Sequence, residues 1–258
     1  MGRFASTVAL YKELRPPYPD EFFRTVSQRL KLSEQHALID LGTGPGLLAL
    51  GFASHVGRIV GVDPEPNMLA AAQQAAADAG RDFALIEGTA ESLAETIGVF
   101  DVVTIGRALH WMDRGATLAV LERLVAHDGW ILVCASFSAP DPRNPWLEDY
   151  NAVRRAWSPA ALWNESGGSA RTHRDLAGFF SGSTFHLADL IKVETSQTVS
   201  VRDLARRVLT FSPSSPDALG DNVDAMLRDV VHSLGPYSRG GEISEAVIST
   251  AQVVTRSS

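Results

Sequence analysis

The residues whose types and spacing point most directly to chemistry form the run Asp40-Leu41-Gly42-Thr43-Gly44-Pro45-Gly46. An apolar segment, 37–39, precedes the run, and three glycines let the backbone turn sharply and let a ligand approach closely. A dinucleotide loop has the spacing G-x-G-x-x-G, and Leu47 stands where its third glycine would be. Asp40 would repel a pyrophosphate at this strand end but attract an ammonium group. The spacing therefore predicts a cofactor with an amino-acid end.

A second acid, Asp63, ends the predicted strand 58–63. A carboxylate there can accept hydrogen bonds from both hydroxyls of a ribose. The same placement serves NAD, so Asp63 alone does not separate the two kinds of cofactor. The alternative is that Asp63 caps a helix, because Pro64-Glu65-Pro66 follows it. We favour the cofactor role because of the glycine loop upstream.

The segment after the predicted fourth strand, Arg107–Trp111, contains the histidine with catalytic potential. The ordinary pKa of histidine, about 6.5, suits proton removal at neutral pH. His110 is therefore a candidate general base for a phenol, an enol or a ring nitrogen. The alternative is that His110 packs against Trp111 and holds the loop.

The elements that must position these residues alternate between strand and helix through the first half of the chain. Strands are predicted at 37–41, 58–63, 83–87, 100–105 and 130–136, and helices at 18–31, 45–54, 66–79, 91–96 and 115–126. Apolar strands without alternation indicate a parallel sheet covered by helices on both faces. Right-handed crossovers then place the loops after the strands on one edge, where such sheets bind ligands.

The second half no longer alternates regularly between strand and helix. Three prolines within 139–145 exclude regular structure there. Helices are predicted at 146–162 and 171–180, with a glycine- and serine-rich loop between them. One or two strands are predicted over 185–199, helices over 201–211 and 217–234, and a final strand over 243–255. Five arginines of this half are attributed to a solvated surface, with a carboxylate site as the alternative: Arg143, Arg154, Arg155, Arg171 and Arg174.

These motifs resemble, in content and order, the class I S-adenosylmethionine (SAM)-dependent methyltransferases of the small-molecule type, a set that includes the ubiquinone, menaquinone and trans-aconitate enzymes. The resemblance covers residues 11–136. Position 89 is threonine, where this family commonly has aspartate. The matching segments are Tyr11–Pro19, Asp40–Gly46, Arg58–Asp63, Gly88–Glu91, Phe100–Ile105 and Ala108–Trp111.

The resemblance implies an α/β fold in which one Rossmann-like, seven-stranded, mostly parallel sheet has helices on both faces. The last strand would be antiparallel, and a helical insertion would lie over the active site. Residues 1–258 would form a single domain. Its expected parts are an N-terminal lid and helix (1–35), a SAM-binding core (36–138), a substrate-side insertion (139–183) and C-terminal strands and helices (184–258).

The resemblance also implies SAM as cofactor, S-adenosylhomocysteine as product, and a set of site residues. The expected cofactor contacts are Asp40, Gly42, Thr43, Gly44, Gly46, Asp63, Pro64, Met68, Thr89, Ala90, Glu91 and Arg107. The expected substrate contacts are Arg15, Tyr18, Trp111 and Trp146. Tyr11 is expected to face the methyl group, with His110 as the candidate base. Glu91 has an alternative role, because an acid before a short helix favours the helix dipole. For Trp146 the alternative is ordinary helix packing.

The expected reaction is methylation of a small molecule, an aromatic or heteroaromatic metabolite, at oxygen, nitrogen or carbon. Two alternatives stay open: an NAD(P)-dependent oxidoreductase, and a non-catalytic module that binds SAM for regulation. A nucleic-acid substrate is disfavoured by the net charge of −7. It is also disfavoured because Gly106–Leu109 lacks the Asn/Asp-Pro-Pro-aromatic motif that grips a flipped base.

Composition places the protein among ordinary globular chains, with 258 residues of which 45% are hydrophobic. Cys134 is the single cysteine, which excludes an intrachain disulfide and predicts a cytoplasmic location with a buried, inert thiol. No metal site and no membrane segment is expected. The expected assembly is a monomer or a homodimer, and secondary metabolism is the expected setting.

Overall fold

The computed structural model describes residues 14–165 and 175–257, which form a seven-stranded sheet. Its strands are β1 (Ala37–Leu41), β2 (Arg58–Asp63), β3 (Ala84–Glu87), β4 (Phe100–Gly106), β5 (Val125–Ser138), β6 (Phe185–Ser200) and β7 (Glu242–Arg256). They lie in the order β3-β2-β1-β4-β5-β7-β6. The first five strands pair in parallel, and the last strands are antiparallel. The predicted Rossmann-like, mostly parallel sheet is confirmed.

The α-helices surround this sheet and connect its strands. They are α1 (Asp20–Leu30), α2 (Leu47–Phe52), α3 (Pro66–Asp78), α4 (Arg114–Leu124), α5 (Leu147–Trp157), α6 (Ala160–Glu165), α7 (Leu176–Phe180), α8 (Val201–Arg207), α9 (Pro216–Leu219) and α10 (Val223–Leu234). Short 3-10 helices cover Ala90–Ser92, Glu95–Ile97, Leu109–Trp111, Val208–Thr210, Ser212–Ser214, Gly220–Asn222 and Gly235–Tyr237.

Several predicted boundaries were wrong, each for a local reason. The helix predicted over 146–162 is broken at Ser158, which is extended (ψ 134°) because Pro159 disfavours a helical residue before it. The helix predicted over 217–234 is interrupted at Gly220, which takes a left-handed φ of 55°. β5 begins at Val125 instead of 130, so α4 ends at Leu124. Two 3-10 helices replace the helix predicted over 91–96.

The contacts of the chain divide it into two compact units. Among the described residues, the loop unit comprises 17–135, 175–193 and 249–257 and contains the glycine run. The helical unit comprises 14–16, 136–165 and 194–248. The expectation of one domain whose segment 139–183 lies over the active site stays a prediction.

The central strands β1, β2 and β4 of the loop unit are buried on both faces, as the sequence predicted, whereas the edge strand β3 is exposed at both of its ends. Leu38 packs in one apolar cluster with Phe22 and Phe52, while its neighbour Ile39 packs in a second cluster with Leu121. These side chains are fully buried, and each such burial contributes about 1.5–3 kcal/mol. The sheet is therefore a rigid platform for the loops that follow its strands.

The core of the helical unit is a separate apolar cluster. Trp146, directly before α5, and Tyr150 of α5 pack there with Leu204 of α8 and with Met226 and Val230 of α10. Over the described residues, no helix has the length and hydrophobicity needed to cross a membrane.

Candidate cofactor site

The glycine loop between β1 and α2 is fixed by its own backbone. Gly42, Gly44 and Gly46 all have left-handed φ values, 71°, 55° and 81°. The N–H groups of Gly42 and Thr43 both donate to the carbonyl of Val62 on β2, at 2.9 Å. A left-handed φ is costly for residues with a Cβ, so this path of the chain explains why glycines recur here.

The three glycines differ in what surrounds them. A Cβ on Gly42 would lie 2.5 Å from the Cβ of Ala108, and one on Gly46 would lie 3.2 Å from the Cβ of Ala72. A Cβ on Gly44 would have no heavy atom of the described residues within 4 Å. Gly42 and Gly46 thus serve close packing, whereas Gly44 borders open space that a ligand can fill.

Asp63, at the end of β2, fixes the glycine loop through a hydrogen bond. It is 7% exposed, one carboxylate oxygen accepts the Gly44 N–H at 2.8 Å, and the other accepts the Glu65 N–H at 3.0 Å. Burial raises the pKa of Asp63 above its ordinary value, against the effect of these two donors. Glu65 stands at the N-cap position of α3 without a side-chain cap, and Asp63 accepts its N–H, so a role at the start of this helix is compatible with the cofactor role, which stays a prediction. Each oxygen of Asp63 keeps a lone pair for a ribose hydroxyl.

Asp40 lies deeper in the sheet, at 1% exposure. The hydroxyls of Thr43 and Thr104 each donate to one of its oxygens at 2.7 Å. Burial raises the pKa of the Asp40 carboxyl to about 6, although these hydroxyls lower it. The carboxylate is therefore costly to ionise in the free protein, and a positively charged ligand nearby would relieve that cost.

The segment after β3 contains three of the predicted cofactor contacts, and two of these residues make hydrogen bonds within the protein. Thr89 is exposed, and its N–H donates to the Ser92 hydroxyl at 3.0 Å. Ala90 is buried at 4% exposure. A carboxylate oxygen of Glu91 accepts the Asp113 N–H at 3.0 Å and the Thr117 hydroxyl at 3.4 Å. Glu91 therefore ties this segment to the first turn of α4, and its predicted adenine contact stays a prediction.

Arg107, the residue directly after β4, has an unusual backbone conformation. Its φ of 58° is left-handed, and it is one of two non-glycine residues in the described chain with a positive φ. Its guanidinium carbon lies 5.2 Å from the ring centroid of Tyr18, which is buried against Phe22 and Phe23. Strained backbone of this kind concentrates at functional sites. Tyr18 is thus a core residue of the loop unit that supports Arg107.

His110 and Trp111 form the exposed 3-10 helix that follows. Their ring centroids are 4.8 Å apart, which is the contact that the packing alternative predicts. His110 is exposed, and 47% of the Trp111 surface is exposed. The base role of His110 stays a prediction.

The remaining predicted site residues lie in several separate parts of the chain. Met68 is buried in the first turn of α3, and Pro64 is exposed beside Asp63. In the helical unit, the Arg15 guanidinium donates to the Thr210 carbonyl at 2.8 Å. Trp146 is 1% exposed and donates to the Ser244 carbonyl at 3.3 Å, which fits the packing alternative, and its substrate role stays a prediction. Tyr11, Arg171 and Arg174 lie outside the described residues.

Sequence reasoning missed Thr104, the second partner of Asp40. A signal existed, because Thr104 is a polar residue in the mainly apolar strand β4, which also contains Asp101, and a buried hydroxyl requires a partner. Cys134 is buried with a raised thiol pKa caused by burial, which agrees with an inert thiol. Within the part of the chain that the structure describes, no three His, Cys, Asp or Glu side chains gather as metal ligands would.

Comparison with known proteins places the glycine loop in a known kind of domain. Residues 39–133 match the family model of a methyltransferase domain. Over 166 residues the chain is 26% identical to the uncharacterized methyltransferase YcgJ of Bacillus subtilis, covering 63% of this chain and 64% of that relative. The chain thus spans just under two thirds of the length of this curated relative.

Solved structures extend the likeness of the fold over nearly the whole chain. One is a SAM-dependent methyltransferase from Geobacter sulfurreducens in complex with S-adenosyl-L-homocysteine (TM-score 0.53, 16% identity, 99% of this chain and 98% of that one). Another is the cyclase SpnF (TM-score 0.57, 17% identity, 96% of this chain and 93% of that one). At these identities the likeness is one of fold.

Proposed function

We propose that this chain transfers a methyl group from SAM to a small molecule, with residues 39–133, which match the family model of a methyltransferase domain, as its class I SAM-binding part. The acceptor in this proposal is an aromatic or heteroaromatic metabolite, methylated at oxygen, nitrogen or carbon. The observation that carries it is the hydrogen bond from the Gly44 N–H to Asp63. This bond links the loop for the amino-acid end of the cofactor to the acid for its ribose.

The residues around the loop fit such a cofactor. Asp63 would accept the ribose hydroxyls, and the open side of Gly44 would face the amino-acid end. The buried charge of Asp40 would attract the cationic groups. When bound, SAM supplies an electrophilic methyl group on a positively charged sulfur. The chain's own contribution is then to hold and orient, which can supply effective molarities of roughly 10⁵ M or more.

A protein base is needed only for an acceptor that holds its proton tightly. His110 is the side chain proposed for that task, and Tyr11 the one proposed to face the methyl group. Trp111 is proposed as an acceptor contact, which its exposure of 47% supports. The proposal includes a cytoplasmic protein of secondary metabolism, monomeric or homodimeric. It includes no nucleic-acid substrate, which the net charge of −7 disfavours.

Calorimetric titration with SAM, S-adenosylhomocysteine and NADH tests the cofactor first. The proposal requires that both adenosyl compounds bind and that NADH does not. Tighter binding of NADH would favour an oxidoreductase and overturn the proposal. Failure of all three to bind would also overturn it.

A second experiment tests the reaction, because a shared fold does not fix an activity. The purified chain is incubated with methyl-labelled SAM and fractionated small-metabolite pools. Label in a small acceptor supports the proposal. SAM binding without transfer to any pool would favour the regulatory module instead. The SpnF likeness makes a separate check worthwhile, in which acceptor pools are examined for unlabelled rearranged products.

A further inference from the structure

The helical unit contains buried charged side chains that the proposed function does not use. Arg154, on α5, is only 5% exposed, although its sequence context predicted a solvated surface. Its guanidinium carbon lies 3.5 Å from the ring centroid of Phe211 and 5.8 Å from that of Tyr150. Tyr150 is itself 3% exposed. A buried cation stacked on aromatic rings is retained at a cost, so its surroundings need an explanation.

The neighbouring arginine, Arg207, has a partner. Its two terminal nitrogens donate to the two carboxylate oxygens of Glu245, at 2.6 and 2.9 Å. Arg154 donates only to the neutral side-chain oxygen of Asn151, at 2.8 Å. No ion pair forms at Arg154 among the residues that the structure describes. The group thus holds one full positive charge that Glu245 does not neutralise.

Three hydrogen-bond donors of this group also have no acceptor among the described residues. They are the Nε–H groups of Arg154 and Arg207 and the hydroxyl of Tyr150, all buried. Buried donors are nearly always paired in folded proteins, and exceptions call for a bound group. Burial lowers the pKa of Arg154 to about 10, which still leaves the guanidinium charged at neutral pH.

We propose that Arg154 and Tyr150 bind the carboxylate of a small organic ligand. One oxygen would accept from Nε of Arg154 and the other from the Tyr150 hydroxyl, so a single monoanion would satisfy one charge and two donors. Arg15 adds positive charge on the same aromatic ring, with its guanidinium carbon 3.8 Å from the Phe211 centroid. Planar carboxylates suit the fork geometry of arginine.

The geometry favours a carboxylate over a phosphate monoester, because the two oxygens of a planar carboxylate match the Nε–H of Arg154 and the hydroxyl of Tyr150. The charged groups that act on Tyr150 are Arg15, Arg154, Arg207 and Glu245, and the last two pair with each other. This site does not depend on methyl transfer, and it would exist whether or not the glycine loop binds SAM.

The test measures binding of benzoate, benzamide and phenyl phosphate by calorimetry, without SAM. We expect benzoate to bind and its neutral isostere benzamide to bind at least tenfold more weakly, because charge-assisted hydrogen bonds are lost. Tighter binding of phenyl phosphate than of benzoate would overturn the carboxylate assignment and identify a phosphate site. Equal binding of benzoate and benzamide, or no binding of benzoate, would overturn the anion site.

Variants locate the site. Arg154→Gln should weaken benzoate binding about tenfold or more. Arg155→Gln, which removes the same charge from the exposed side of the same helix, should leave it unchanged. Tyr150→Phe keeps the charge and removes one donor, so it tests the site if Arg154→Gln fails to fold. Benzoate affinity that is unchanged in Tyr150→Phe, or lost equally in Arg155→Gln, would contradict the proposal.

Discussion

At the scale of single residues, Asp40 is the side chain whose chemistry depends most on burial. Its ordinary pKa of 3.8 rises to about 6 because the interior disfavours its charge. That rise corresponds to roughly 3 kcal/mol of unfavourable ionisation. The hydroxyls of Thr43 and Thr104 hold the carboxylate in place, so the cost cannot be relieved by moving into water.

This raised pKa predicts how cofactor affinity depends on pH. A cationic ligand favours the ionised carboxylate, so SAM affinity should increase as the pH rises through about 6, with proton release on binding. Asp63, whose pKa is also raised by burial, should act in the same direction. Calorimetry in buffers of different ionisation enthalpy measures the released proton. Asp40→Asn should flatten the profile, and a profile that falls with pH would contradict the prediction.

The free protein should show the opposite dependence. Because the folded pKa of Asp40 lies above the unfolded value of 3.8, the native state binds more protons between these values. This carboxyl therefore contributes stability that is fully present below pH 3.8 and is lost as the pH rises through about 6. Asp40→Asn should remove that contribution from the difference in unfolding free energy across this range. If the free energy of unfolding, measured by urea titration, changed with pH in Asp40→Asn as it does in the parent, the prediction would be contradicted.

Asp63 should be the residue most sensitive to substitution in cofactor binding. Asp63→Ala removes the acceptor for the Gly44 N–H and the two oxygens offered to the ribose. Hydrogen bonds to a charged group each contribute about 1.5–3 kcal/mol, so SAM should bind at least tenfold more weakly. Asp82→Ala changes the same charge at an exposed position of the same unit and is the control. Equal losses in both variants would show that net charge, and not the contact, matters.

At the scale of elements, strand pairing explains why the sequence predicted two strands correctly but missed Thr104 as a partner of Asp40. β1 and β2 were predicted to the residue, because each is a short, mainly apolar run that is followed directly by a glycine or a proline. The pairing of Asp40 with Thr104 depends on register, since these residues face each other across β1 and β4. Register between strands 60 residues apart is set by packing, which a single sequence does not reveal.

The start of β5 was also predicted wrongly because strand pairing is not visible in a single sequence. The segment after Val125 contains Asp128 and Gly129, which predict a turn. In the sheet, Val125 pairs with Phe100 and the register then shifts, so the strand accommodates these residues with an irregularity. Tertiary pairing thus overrode the local preference. The buried position of Arg154 escaped prediction similarly, because neighbouring arginines on one helix look alike in sequence.

The glycine loop is the element whose backbone can be tested directly. Gly42→Ala must place a Cβ at a φ of 71° and 2.5 Å from the Cβ of Ala108, so the loop must shift. Gly80→Ala has a similar φ of 63° with open space around it. A left-handed alanine alone costs about 1–2 kcal/mol. We expect Gly80→Ala to lose only this stability and keep SAM binding, whereas Gly42→Ala should lose both.

Thermal unfolding and calorimetry on the two glycine variants separate these effects. A Gly42→Ala protein that binds SAM as tightly as the parent would show that the loop tolerates displacement. The assignment of Gly42 to close packing would then be wrong.

At the scale of the whole molecule, the glycine loop and the buried ion pair belong to different compact units. The buried ion pair of Arg207 and Glu245 lies in the helical unit, and Glu245 also accepts from Ser138 at 2.6 Å and from Gln197 at 2.8 Å. Burial alone would raise the pKa of Glu245, but the hydrogen bonds and charge of Arg207 hold it below its ordinary value. The pair is therefore ionised at neutral pH.

Breaking this pair should separate stability from cofactor binding. Glu245→Gln leaves the buried Arg207 without its counter-charge, which typically costs about 3–5 kcal/mol. The midpoint of denaturation should fall accordingly, while SAM affinity of the folded protein stays unchanged, because the loop that binds SAM is built by the other unit. Glu194→Gln, which removes an exposed partner of Arg143 in the same unit, should have little effect. A parallel loss of SAM affinity in Glu245→Gln would mean that the two units are energetically coupled, and hydrogen exchange at the glycine loop would then locate that coupling.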